Sequence, residues 1–125
     1  MKQIVSTKQA PEAIGPYSQA VKINNMLYAS GQLGIDPETG LFSPGGIKEQ
    51  TIQAVKNVQA ILKEVNASLD NVVKTTVFLS DMDDFTAMNE VYSGMFKEPY
   101  PARSAVAVKT LPKNALVEIE IIAAL

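Results

Sequence analysis

Across residues 48–66 the apolar side chains Ile52, Val55, Val58, Leu62 and Val65 recur at three- and four-residue steps, with Glu49, Gln53, Lys56, Gln59 and Lys63 between them. That spacing gathers the apolar set on one stripe of a helix and the polar set on the opposite face. Such a helix draws most of its stability from packing, so the rest of the chain must supply an apolar surface for it. The flanking segments do so as strands. Residues 4–7 read as a short edge strand, and 17–23 and 26–30 as two strands joined by Asn24-Asn25, a pair that tolerates the positive φ of a tight hairpin. Val72–Leu79 is rich in β-branched residues, and 103–108 and 116–125 form two further strands around the turn Leu111-Pro112-Lys113-Asn114. Ser80 followed by Asp83 is a capping signature for a second helix, whose stripe is Phe85, Met88, Val91, Tyr92 and Met95 and which Pro99 and Pro101 end. Residues 10–16 and 31–46 are marked as connections by their prolines and glycines. The order predicts an α+β fold with both helices packed on one face of a mixed sheet.

No repeat, low-complexity tract or linker divides the chain, so residues 1–125 read as one domain. Apolar residues make up 46% and charged residues 19%, the composition of a globular protein. The chain has no histidine and no cysteine. Ser-His-Asp and Cys-His devices are therefore excluded, as are disulfides and Cys/His zinc sites. The net charge is −2 with no basic cluster, which ranks nucleic-acid binding low because such binding draws on a surplus of Lys and Arg. The first residues lack the apolar core of a signal peptide and no apolar run is long enough to span a bilayer, so the expectation is a soluble cytoplasmic protein without a membrane partner.

In the last strand Val117, Ile119 and Ile121 alternate with Glu118, Glu120 and Ile122, and in the strand before it Arg103, Ala105 and Ala107 alternate with Ser104, Val106 and Val108. Glu118 and Glu120 are expected on the sheet face away from the helices, together with Arg103. A face carrying apolar residues, small alanines and a few charges suits an oligomer interface with charged groups gathered in a cleft.

Any chemistry must then come from an arginine, a carboxylate, a hydroxyl or backbone groups. Arg103, fixed by the preceding Pro101-Ala102 at a strand start, presents a planar fork suited to a substrate carboxylate; equally, it pairs with Glu120 as a structural ion pair. Glu120 could orient or deprotonate a water, or simply balance a lysine. Glu118 carries the same ambiguity, and no motif singles it out. Tyr17, in Gly15-Pro16-Tyr17-Ser18, could stand at a pocket mouth or in an interface. Ser30-Gly31 offers a hydroxyl and an approachable backbone, or marks a turn. Asn89 touches a ligand or solvates its helix, and Met82, Met88 and Met95 read as core filler.

Taken together, Ala13-Ile14-Gly15-Pro16-Tyr17-Ser18-Gln19-Ala20, Ala29-Ser30-Gly31-Gln32, Val72–Leu79, Met88-Asn89-Glu90-Val91-Tyr92, Pro101-Ala102-Arg103-Ser104 and Val117-Glu118-Ile119-Glu120 give the chain a resemblance, along nearly its whole length, to the RidA/YjgF/UK family. The resemblance implies a chorismate-mutase-like fold, three subunits closing their sheets into a barrel, and clefts between subunits. It implies hydrolysis of reactive enamine/imine acids, such as 2-aminoacrylate and 2-iminobutanoate, to 2-oxo acids and ammonia, a reaction that needs no metal or cofactor, in agreement with the missing histidine and cysteine. Carried onto this chain, Arg103 would hold the substrate carboxylate and Glu120 the attacking water, with Tyr17, Asn89, Ser30 and Gly31 lining the cleft. Many relatives have cysteine where this chain has Ala105; a ligand contact through the backbone N–H there would survive, whereas thiol chemistry would not. Two other functions are weighed against the deaminase: a module that binds 2-oxo acids or a partner protein through the same cleft, and a ribonuclease, which the acidic balance and the missing histidine disfavour.

Overall fold

The computed structural model describes residues 1–125. Six strands, β1 (Gln3–Val5), β2 (Ala20–Ile23), β3 (Met26–Leu33), β4 (Val72–Leu79), β5 (Ala102–Ala107) and β6 (Val117–Ala124), form one sheet in the order β1-β2-β3-β6-β4-β5. Every pairing is antiparallel except β4 with β5, which the intervening helix makes parallel. Helices α1 (Ile47–Glu64) and α2 (Phe85–Met95) cover one face. Their buried residues Ala54, Val55, Val58, Ile61, Leu62, Met88 and Tyr92 share one core with Leu27, Val77, Leu79, Val117, Ile119 and Ile121 of the strands. The expected two-layer α+β architecture is the one observed.

Local chemistry explains where the helices begin and end. The Glu49 carboxylate accepts the Gly46 N–H at 2.8 Å, closing the first turn of α1. Beyond its C-terminus Asn66 takes φ 56°, the left-handed geometry that stops a helix. The start of α2 differs from the expected Ser80 cap: the Asp81 carboxylate accepts the Asp83 N–H at 2.8 Å, and a 3-10 turn, Met82–Asp84, feeds the helix. Aspartate one residue later competes successfully because its carboxylate is the stronger acceptor. Lys48 and Glu90 join the outer surfaces of the two helices at 2.7 Å.

Two contacts fix α1 on the end of β3. A Cβ at Gly34 would lie 2.5 Å from the backbone oxygen of Gln50, so glycine is what allows the approach. Asn57, fully buried, donates to the carbonyl oxygens of Leu33 (3.0 Å) and Ile35 (2.9 Å) and accepts from Gln53 at 2.9 Å.

Strand β3 runs three residues beyond its expected end at Ser30. Ala29 pairs with Ile121 and Gln32 with Ile119, so Ser30 and Gly31 together stand opposite Glu120. This is a β-bulge, a device that re-aims side chains and backbone locally. A Ser-Gly pair looks like a strand end when neighbouring strands are out of view.

Candidate functional site

The strand alternation sorts the candidate residues onto two faces. Arg103 is in register with Thr75, and Thr75 with Ile121, both buried beneath the helices. Arg103 therefore lies on the inner face, not on the face of Glu118 and Glu120, and it makes no ion pair with Glu120. The parallel register of β5 against β4 sets this, a long-range choice to which period-two alternation within β5 is blind. Ala105, on the same side of the strand, packs against the edge of the core.

Arg103 is held by α2. Its Nη1 donates to Asn89 Oδ1 at 2.7 Å, and its guanidinium carbon stands 4.7 Å from the centroid of the Tyr92 ring and 5.4 Å from that of Phe85. Cation–π contacts of this kind orient an arginine without neutralising it. Tyr92 is fixed in turn by a 2.8 Å hydrogen bond between its hydroxyl and that of Thr75 and by stacking on Phe96. Burial pushes the Tyr92 phenol above its usual range. The rest of the fork has no partner in the chain and lines a cavity of about 380 Å³ with Asn89, Ser93, Tyr100 and Pro101. Asn89 is thus the clamp on Arg103 as well as part of the cavity wall.

Tyr17, Ser30 and Gly31 line a different cavity, of about 570 Å³, together with Ile14, Lys113 and Glu118. Gln19, 4% exposed, holds its rim: the side-chain amide accepts from Thr7 N–H and donates to the carbonyls of Thr7 and Pro11, which ties the 7–11 loop to the start of β2. The Ser30 hydroxyl donates to Ser18 O at 2.6 Å, leaving its lone pairs as the feature it presents. The bulge brings Gly31 against Glu118, whose carboxyl carbon would be 2.7 Å from any Cβ at residue 31. Partial burial, and secondarily the charge of Glu120, push the Glu118 carboxyl above the usual glutamate range.

Glu120 is elsewhere. It is exposed and lines a hollow of about 230 Å³ with Tyr28, Lys74, Thr76 and Ile122. The carboxylate that the fold gathers with Tyr17, Ser30 and Gly31 is Glu118, the residue that sequence pattern had not singled out. The alternation made Glu118 and Glu120 equivalent; the bulge two residues wide in the neighbouring strand distinguishes them.

Replacing Gly31 by alanine is expected to leave the fold intact, because the crowded atoms belong to a flexible side chain, but to turn the Glu118 carboxyl outward. In an NMR titration its pKa should drop back towards 4.5, the ordinary value; an unchanged pKa would show that the Gly31 contact does not set its position.

The inner-face cavity of Arg103 and the cavity of Glu118 are separate within one chain. The opposite face of the sheet leaves Tyr28 and Val106 each 46% exposed. No helix is long and apolar enough to cross a membrane.

Comparison with known proteins gives the same architecture a wider setting. The family model described as Endoribonuclease L-PSP matches residues 7–125. A RutC family protein of Pyrococcus abyssi is 54% identical, with 98% of this chain and 96% of the relative covered. The 2-iminobutanoate/2-iminopropanoate deaminase of Mus musculus is 50% identical over 98% of this chain and 91% of its own. The crystal structure of RidA from an Antarctic Psychrobacter species superposes with a TM-score of 0.94 at 49% identity, covering 98% of this chain and 99% of that one. With the family model spanning all but the first six residues and half of all positions shared with such relatives, the chain belongs to the Endoribonuclease L-PSP family, the RidA/YjgF family.

Proposed function

We propose that this protein is a cytoplasmic 2-iminobutanoate/2-iminopropanoate deaminase acting as a homotrimer. The observation that carries the reading is Arg103, a guanidinium clamped by Asn89 and two aromatic rings yet without an ion-pair partner in its own chain. A charge held so, beside a cavity, suits the bidentate capture of a small carboxylate. The deaminase of Mus musculus, 50% identical, supplies the reaction class.

Cyclic packing of sheets through their exposed face would bring the Arg103 cavity of one copy to the Glu118 cavity of the next. The imino acid would lie between them, its carboxylate on Arg103 and its C=N carbon near the Tyr17, Ser30 and Gly31 wall. Glu118 would orient a water and accept its proton, the role first considered for Glu120. The water oxygen bonds to the iminium carbon, Glu118 hands the proton it took to the nitrogen, and as the C–N bond breaks the hydroxyl proton of the carbinolamine passes to Glu118 and on to the ammonia or solvent. One imine and one water thereby give one 2-oxo acid and one ammonia. An iminium carbon is already electrophilic, so positioning supplies most of what the reaction needs, with no cofactor. A carboxyl pushed above the usual glutamate range is also a better base than an ordinary one.

The experiment follows the loss of 2-iminobutanoate, generated in place by threonine dehydratase, above its spontaneous hydrolysis. Wild type should accelerate it, with kcat/KM falling on the acid side at a pH above 4.5, the ordinary glutamate value. The sign follows from Glu118 acting as the carboxylate: protonation at low pH removes the base. Glu118→Gln should abolish that limb along with most activity, and Glu120→Gln should move it to lower pH by removing the neighbouring charge. Full activity in Glu118→Gln with loss in Glu120→Gln would return the water to Glu120. Saturable 2-oxobutanoate binding without acceleration would make the cleft a sensor. A ribonuclease is disfavoured by the net charge of −2 and by a cavity that sets Glu12 and Glu118 against one lysine.

A further inference from the structure

Between β5 and β6 the chain turns through Pro112–Asn114 with two consecutive non-glycine residues in the left-handed region, Lys113 at φ 56° and Asn114 at φ 57°. Glycine is the residue such geometry favours, and lysine is not among the side chains enriched there. Backbone of this kind persists only where its surroundings over-determine it, and it concentrates at binding sites. Here both flanks are fixed. Leu111 and Ala115 are buried, Asn114 N–H donates to Leu111 O and Ala115 N–H to Pro112 O, each at 3.1 Å.

The turn places Lys113 on the wall of the 570 Å³ cavity that holds Tyr17, Ser30 and Glu118. Lys113 is exposed and forms no salt bridge; the chain's single one joins Lys48 and Glu90. The other charged residues around this cavity, Glu12 and Glu118, are both carboxylates, and the whole chain carries −2. An anion approaching them would be repelled. A cation at the wall offsets part of that repulsion and gives a small anion one attractive point at the opening.

We infer that Lys113 is a substrate-binding residue that attracts small 2-imino and 2-oxo acids, through their carboxylate, to the mouth of the Glu118 cavity, from where the carboxylate reaches Arg103 of the neighbouring copy. The inference rests on the proposed substrate class and adds a second cation to Arg103. Lys113 acts on binding and capture, not on the chemical step.

The test uses Lys113→Asn and Lys113→Arg in the full-length protein. Asparagine tolerates left-handed backbone and removes the charge, whereas arginine keeps it. Lys113→Asn should melt within a few degrees of wild type and keep its kcat. Its kcat/KM for 2-iminobutanoate should fall about 5- to 10-fold near 20 mM ionic strength, and the defect should shrink towards twofold near 0.5 M as screening shortens the field. Calorimetric binding of 2-oxobutanoate should weaken by a similar factor, and Lys113→Arg should recover both. Wild-type binding by Lys113→Asn at low salt would overturn the inference, as would a Lys113→Arg variant as impaired as Lys113→Asn. Calorimetry separates the two readings: charge-dependent binding with no turnover in wild type would remove the deaminase and keep Lys113, whereas turnover indifferent to the Lys113 charge would do the reverse. A wild type that binds no 2-oxobutanoate and turns over no imine removes both.

Discussion

Arg103→Ala is expected to lower kcat/KM for 2-iminobutanoate by about 10²- to 10³-fold, the loss that follows when the charge partner of a small anion is removed and the reacting atoms are no longer positioned. The fold should survive. Arg103 is only partly buried, its one hydrogen bond is to Asn89, and the Tyr92–Thr75 bond beneath it does not depend on it. Arg103→Lys should fail nearly as badly, because an ammonium on a flexible stem cannot reproduce two parallel hydrogen bonds while resting on the Tyr92 and Phe85 rings. Since Arg103 and Glu118 line separate cavities in one chain, the proposed site also makes a complementation prediction. Arg103→Ala and Glu118→Gln subunits, each inactive alone, should regain activity when unfolded and refolded together. In a cyclic trimer every mixed assembly contains one boundary with both residues intact, so random mixing restores about a quarter of the wild-type rate. No recovery from a stably mixed oligomer would place both groups within one subunit's site, and full activity in Arg103→Ala would show that another group binds the carboxylate.

The largest effect on stability is expected at Asn57. Its amide is fully buried and serves the carbonyls of Leu33 and Ile35 while accepting from Gln53. Asn57→Leu keeps the branched shape, with a somewhat larger volume, but leaves buried polar groups without their partner, at a cost of about 2–4 kcal/mol. For a chain of this length that corresponds to a drop of roughly 10 °C in melting temperature. Asn57→Asp should be at least as harmful at neutral pH, because a carboxylate faces two carbonyl oxygens where a donor belongs. Leu33 and Ile35 also line the Glu118 cavity, so the damage should reach substrate binding in molecules that remain folded. A melting temperature unchanged in Asn57→Leu would show that water satisfies these carbonyls equally well.

The sequence by itself determined what depends on short-range periodicity. The stripe from Ile52 to Val65 specified α1 to within two residues at each end, and the β-branched run specified β4 without error. Alternation in the last strand correctly set Val117, Ile119 and Ile121 inward, and all three are buried. These features are legible because a helix or strand repeats over distances that a local window spans. The family motifs likewise carried the architecture, since they occur in order along the chain. Tertiary structure decided the rest. Arg103 faces the helices because β5 is parallel to β4 in a register that aligns it with Thr75, a pairing made across the whole of α2. Glu118, not Glu120, stands with Tyr17 and Ser30 because a bulge in β3, more than eighty residues earlier in the chain, brings Gly31 beneath it. Both outcomes are set by contacts between segments far apart in sequence. A strand's own alternation names two faces but says nothing about what its neighbours bring to each.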